Sequence, residues 1–228
     1  MAVFQAFCAL RPAADKAERV AALPYDVVSR EEARIIGEKN PDSFLHVDRA
    51  EMDLPADTDL YDSSVYEKAR ENLQNMEKKG ILVQDEKPCY YIYELTRKGK
   101  TQTGIVGCSS IDDYISGVVK KHELTREDKE QDRIRHVDVC DANTGPIFLA
   151  CRYTQTLLDL IAGWKENHAP VYDFTADDEI THRVWVIDSG SEIRTIREEF
   201  GGIPALYIAD GHHRAAMTNL PFLPIIVW

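Results

Sequence analysis

Strand-like and helix-like segments alternate along this chain almost without interruption, and that interleaving restricts the fold more than any one motif does. Period-two or continuous apolar runs fall at VFQAFCAL (3–10), SFLHVDR (43–49), residues 90–96 and 102–109, PIFLAC (146–151), APVYDFT (169–175), THRVWVID (181–188) and residues 205–209. Helices fit between them. Ser29 and Glu32 make a capping box that opens a helix over 30–39, closed at Asn40-Pro41. Val65, Ala69, Leu73 and Met76 recur at helical spacing in SSVYEKARENLQNMEKKG (63–80), with Gly80 as the stop. Further helices are expected at IDDYISG (111–117), from Arg126 onward with Thr125 as cap and Asp128 as the acid of its first turn, at YTQTLLDLIAGWKEN (153–167) and at SEIRTIREEF (191–200). RPAADKAERVAALPYDVVS (11–29) reads as an irregular connection, and Lys98-Gly99 as the turn of a hairpin whose Tyr90, Tyr91 and Tyr93 cover a sheet. The pattern predicts an α/β or α+β fold with a mixed sheet, not a bundle or a sandwich. With no repeat, no linker and scarcely any drift in composition, the expectation is one α/β domain over 1–228.

Charge narrows the partners. A formal net charge of -12 repels polyanions, and no Lys/Arg block offsets it, so nucleic-acid binding is not expected. No window is long and apolar enough for a membrane span, and MAVFQAFCALRP lacks the basic start and long apolar core of a secretion signal, which together point to a cytoplasmic protein. Cys8, Cys89, Cys108, Cys140 and Cys151 are odd in number and form no C-x-x-C pair, so buried free thiols are expected.

The most informative stretch is ALYIADGHHRAAM (205–217), where an apolar run meets an acid, a glycine, two histidines and an arginine. If a strand ends there and a helix opens, the free N–H groups of the first helical turn attract an anion. Gly211 lets the backbone approach it, Arg214 adds a fixed charge in a fork that matches phosphate oxygens, and His212 or His213 adds donors. Asp210 beside a phosphate is repulsive unless it holds Mg²⁺ or takes a proton from an attacking hydroxyl, and both uses imply phosphoryl transfer. The plain alternative is an Asp that caps a helix, with the histidines on a solvated face.

A second constellation is KHELTREDKEQDRIRHVD (121–138). On a helix, Lys129, Arg133 and His136 fall at i, i+4 and i+7 as one positive stripe, with only Ile134 and Val137 apolar nearby. Such a helix faces bulk water or borders a polar cleft, which His122, Glu123 and Asn143 would then line. Asp26, just before the first capped helix, is a further cleft candidate or a turn residue.

The segments FCALRP, PYDVVSREEAR with NPDSFLHV, KKHELTREDKEQDRIRH, ANTGPIFLA and IADGHHRAA run in order over nearly the whole chain, and through them it resembles the domain of unknown function 1015 (DUF1015) family. Members of that family are usually longer, and LPFLPIIVW (220–228) does not resemble their continuation; its prolines exclude regular helix, so the expectation is a buried tail or a truncated, N-terminal part of a longer architecture. The D-G-H-H-R segment is similar to the phosphate-binding turn of the ParB and sulfiredoxin-like fold, which includes free serine kinases. That resemblance implies ADP or ATP with Mg²⁺ as cofactors. The sulfiredoxin cysteine is His212 here, so reductase chemistry does not carry over. The family's genes tend to accompany serine-biosynthesis genes, which implies serine or O-phosphoserine as the small-molecule substrate. The resulting expectation is a phosphotransferase of the small-molecule kinase type, with a phosphatase and a non-catalytic nucleotide- or metabolite-binding module as alternatives. Its residues are Asp210, His212 and His213 for chemistry, Gly211, Arg214, Lys129, Arg133 and His136 for phosphate or nucleotide, and Asp26, His122, Glu123 and Asn143 for the cleft.

Overall fold

The computed structural model describes residues 1–216 and, for its backbone, 222–227. It is a mixed α/β protein whose chain divides into two compact units, Met1–Ala9, Asp85–Glu130 and Gly145–Trp228 in one, Leu10–Gln84 and Gln131–Thr144 in the other. The chain passes between them four times, at points where composition does not change because each unit needs core and surface in similar proportion. Among the described residues no helix is long and apolar enough to cross a membrane.

The first unit is built on a nine-stranded sheet. Strands β1 (Phe4–Gln5), β4 (Tyr90–Arg97) and β5 (Lys100–Ser110) are joined by antiparallel pairing, and the β4–β5 turn puts both Lys98 and Gly99 at positive φ, as a two-residue hairpin requires. Strands β8 (Tyr172–Thr175) and β9 (Thr181–Ile187) extend the sheet beyond β4. On the other side stand β6 (Val119–Lys120), β7 (Ile147–Ala150), β10 (Leu206–Asp210) and β11 (Phe222–Val227), in the order β6, β10, β7, β11, β5. The apolar tail segment thus supplies backbone to the middle of the sheet, parallel to β7 and antiparallel to β5. Helices α5 (Ile111–Ile115), α7 (Gln155–Asn167) and α8 (Gly190–Gly202) lie at the expected places, and Leu157, Ile161, Trp164, Ile196 and Phe200 enter the same core as Phe4, Tyr90 and Ile105. There the Phe4 ring stacks on Tyr90 and lies tilted against Phe200, centroids 4.1 Å apart, and Tyr90 Oη donates to the Phe4 carbonyl at 2.8 Å. Gly107 makes that packing fit: a Cβ on it would meet Phe4 Cζ at 2.5 Å and Tyr90 Cδ1 at 2.9 Å.

The second unit is mostly helical, with one two-stranded ribbon of β2 (Leu10–Pro12) and β3 (Leu82–Gln84). Helix α2 (Arg30–Lys39) opens on the full capping box, Ser29 N donating to Glu32 Oε2 at 2.9 Å and Glu32 N to Ser29 Oγ at 3.3 Å. Helix α4 (Ser63–Lys78) buries Val65, Ala69, Leu73 and Met76 and ends in a Schellman pair, Gly80 N to Glu77 O and Ile81 N to Met76 O, with Gly80 at φ 68°. Three expectations are corrected. SFLHVDR is not a strand but contains helix α3 (Leu45–Asp48), because Ser43 Oγ accepts from Leu45 N and the turn buries Leu45 and Val47 together. The irregular 11–29 connection contains α1 (Ala17–Val20), one turn that buries Ala17 and Val20. Among the five free thiols Cys8 is exposed; its neighbour Phe7 bridges to Cys89, and alternation turns Cys8 outward.

Two histidines of this unit titrate in opposite directions. His46 Nδ1 lies 2.9 Å from Asp53 Oδ2, and that hydrogen bond and charge outweigh burial and raise its pKa above 6.5. Burial lifts the Asp53 pKa, but the His46 bond and charge and the Asn72 amide outweigh it and hold it below 3.8. His136, on helix α6 (Glu127–Cys140), is buried with Nε2 3.1 Å from Val47 O, and burial first, then the Arg133 charge, pushes it down to about 4.

Two predictions follow from these packings. Gly107→Ala forces a rigid ring aside and lowers the stability measured by urea unfolding by about 1–3 kcal/mol. For the histidines, a raised folded pKa stabilises below 6.5 and is lost as pH climbs through the folded value, whereas His136 stabilises above 6.5 and loses on the order of 3 kcal/mol as pH falls toward 4. The combined contribution of these two histidines is therefore greatest near pH 6.5. In amide-exchange profiles against pH, His46→Gln flattens the alkaline limb and His136→Gln the acid limb; unchanged limbs refute the assignment.

Candidate functional site

The D-G-H-H-R turn sits where three chain segments of the first unit meet. β10 pairs in parallel with β6 (Leu206 with Val119, Tyr207 with Lys120), so the residues that follow each strand emerge at the same end of the sheet. β7 runs antiparallel to β10, with Phe148 opposite Asp210, so the residues that precede β7 arrive at that end as well. His122 and Glu123 are thereby brought beside His212, and Gly145 beside Arg214. Ligand sites in sheets with helical connections favour such carboxyl ends of strands.

Gly211 has φ 91° and ψ 34°, and the chain then forms α9 (His212–Ala215), a single helical turn. The left-handed glycine does more than admit a backbone. A Cβ at this position would stand 2.9 Å from Arg214 Nε and 3.0 Å from Nη2, so the guanidinium lies over the glycine itself. A Cβ on Gly145 would likewise meet Arg214 Cδ at 3.0 Å. Two glycines thus leave the room that Arg214 fills. Its Nη2 donates to Asp210 Oδ2 at 2.6 Å, in a pair whose arginine side chain is 13% exposed and whose aspartate is 68% exposed.

His212 is only 8% exposed. Its ring stands edge-on to His122, centroids 4.4 Å apart, and its Nδ1 lies 3.6 Å from Glu123 Oε2. Burial, then the charge of His122, lowers its pKa against the pull of Glu123 and Asp210, which favours a neutral ring. Among the described residues, His212 Nε2, His213 Nδ1 and Arg214 Nε are all buried without a hydrogen-bond partner. Three successive residues therefore each carry one unanswered nitrogen. Among the described residues no group of three His, Cys, Asp or Glu side chains could hold a metal ion, so a cation at Asp210 would need oxygens from a ligand and water to complete its shell.

The remaining candidates are distributed differently. Lys129 lies half-buried on the first turn of α6, in the same unit as the turn. Arg133, His136, Asp26 and Asn143 belong to the second unit. There the face of α6 is neither solvated nor a positive stripe: Arg133, His136, Val137 and Cys140 are buried at helical spacing. The Arg133 guanidinium lies 4.2 Å over the Tyr25 ring and pairs with Asp132 at 2.9 Å, and Asp132 also accepts from Tyr66 Oη. Asp26 is exposed in the turn after Tyr25, and Asn143 is half-buried beside Thr144, whose hydroxyl donates to Asp48. Sequence reasoning passed over Gly145, although its place in an N-T-G-P turn before a strand is the kind of signal that marks a close approach. It also passed over the His46–Asp53 pair, whose members belong to two different short helical turns.

No curated protein and no solved structure matches the chain. A family model described as "Protein of unknown function (DUF1015)" matches residues 4–219, and the chain belongs to that family.

Proposed function

We propose that this protein is a nucleotide-dependent phosphotransfer enzyme acting on a small hydroxylated metabolite, with serine or O-phosphoserine as the first substrates to try. The observation that carries the reading is the run of unpartnered buried nitrogens on His212, His213 and Arg214. An unanswered buried polar group costs about 1–3 kcal/mol. Three of them on consecutive residues, one belonging to the guanidinium itself, call for a ligand, and a phosphoryl group supplies several oxygens in a small volume together with the negative charge that would favour a doubly protonated His212 whose Nε2 donates. The turn would act as the phosphate-binding turn of the ParB and sulfiredoxin-like fold does.

In this reading Arg214 and a histidine neutralise charge that develops on the transferred group. Asp210 is placed at the exposed rim, where its Oδ1 is left for the substrate hydroxyl, whose proton it would take. Alternatively, Asp210 would be the protein ligand of Mg²⁺ carried in with ADP or ATP, which would neutralise the phosphates. His122 and Glu123 orient His212, and Lys129 takes the substrate's carboxylate. Arg133 and His136 serve by packing the part of α6 that lies in the second unit.

Incubating the full chain with Mg²⁺, nucleotide and serine, and separately with O-phosphoserine alone, separates the outcomes by phosphorus NMR. New phosphoserine supports transfer, free phosphate from phosphoserine supports hydrolysis by the same cradle, and nucleotide-dependent thermal stabilisation without either product leaves a binding module. Asp210→Asn is expected to lower turnover about 100-fold or more while nucleotide affinity stays within severalfold. Arg214→Ala is expected to weaken nucleotide binding about tenfold or more. Wild-type turnover in the Asp210→Asn protein would show that the acid is a helix cap and nothing else.

A further inference from the structure

We infer that the helical unit carries a ligand site of its own, a pocket on α2 for a small free α-amino acid with an apolar side chain. A cavity of about 350 Å³ is lined by Arg34 and Glu38 of α2, His46 of α3, and Met52, Leu54 and Pro55 of the segment that follows. That volume is within the usual range for small-molecule sites, roughly 300–1,000 Å³.

Arg34 supplies the anion-binding wall. Its Nε donates to Met52 O at 3.3 Å and its Nη2 to Leu54 O at 2.9 Å, so one edge of the guanidinium is fixed to the backbone of the opposite wall. The outer fork, Nη1 with the second Nη2 proton, has no acceptor among the described residues, and neither nitrogen is a buried orphan. A fork held rigid in this way matches a carboxylate with two parallel hydrogen bonds and has little ordering left to lose.

The other charges decide what kind of carboxylate fits. Asp53 accepts from His46 Nδ1 at 2.9 Å and from Asn72 Nδ2 at 2.8 Å, so its oxygens are engaged and Arg34 is the anion-binding group of this wall. Glu38 is exposed at the rim one helical turn from Arg34, and no ion pair engages it among the described residues. Residues four apart on a helix hold their Cβ atoms about 5–6 Å apart. A ligand that places a carboxylate on Arg34 therefore has its near neighbourhood covered by a carboxylate at the rim. A phosphate or dicarboxylate meets repulsion there, whereas an α-ammonium is accepted. Met52, Leu54 and Pro55 then face the side chain with apolar surface. The inference does not rest on the phosphotransfer reading, and the two fail separately.

Calorimetric titration of the full chain with L-valine, isovalerate and isobutylamine tests it, since the last two each lack one of valine's charges. Valine is expected to bind at millimolar concentration or below, and each analogue about tenfold or more weaker. Glu38→Gln, an exposed change that leaves the fold alone, is expected to bring valine down to the isovalerate affinity and leave isovalerate unchanged. Amide NMR shifts on valine addition should fall within α2 and residues 45–56. Absence of valine binding, equal affinity for isovalerate, an unaffected Glu38→Gln protein, or shifts that fall elsewhere would each overturn the proposal.

Discussion

The pairing of β10 between β6 and β7 decides what stands beside the D-G-H-H-R turn. Leu206 and Ile208 are buried while Tyr207 is 56% exposed, so the strand has a definite inner and outer face. A slip of one residue would bury Tyr207 and expose the two aliphatic residues, which makes the register expensive to change. Because β6 is parallel to β10 and β7 antiparallel, that one register also sets the heights at which residues 122–123 and Gly145 reach the turn. The meeting of His122, Glu123, His212 and Arg214 is thus a consequence of an apolar alternation five residues long. A pairing irregularity between Ile208 and Asp210 lies at the last step before the turn, where it re-aims the chain without disturbing the buried part of the strand.

What the sequence disclosed and what it concealed divide along the range of the interaction involved. The capping box of α2, the glycine stop of α4 and the Lys98-Gly99 hairpin are closed within a few residues, and each was legible. Helix α3 was not, because an alternation as short as that of Leu45 and Val47 satisfies a strand and a single helical turn alike, and the packing of that turn in its unit decided between them. The division into two units was invisible for a different reason: each unit is assembled from separated pieces of chain, so no stretch of composition belongs to one of them. At the candidate site the residue types of the turn were legible, whereas the contact with His122 and Glu123 depends on strand order, which local pattern does not encode. The mixed α/β class followed from interleaving alone.

Helix α6 shows how charge counting misleads when burial is unknown. Lys129, Arg133 and His136 share a helical face, yet at neutral pH the last is held neutral by burial and the second is compensated by Asp132 and the Tyr25 ring. A buried guanidinium survives where its charge is paired and its donors are answered, and Asp132 is itself answered by Tyr66. The polar residues that argue for a solvated helix are here a satisfied network among Val137, Cys140 and the α4 cluster. Polarity of a face therefore reports the chemistry of its partners as much as its exposure.

The turn itself presents the opposite case, polar atoms without answers next to one that is answered twice over. Arg214 spends Nη2 on an aspartate that solvent already serves, while its own Nε has no acceptor among the described residues. With its aspartate 68% exposed, this ion pair is worth on the order of 1 kcal/mol or less. A phosphoryl oxygen delivered to buried nitrogens gains more than that per contact, about 1.5–3 kcal/mol for hydrogen bonds to a charged group. Under the proposed function, the balance favours a ligand that draws the guanidinium off Asp210.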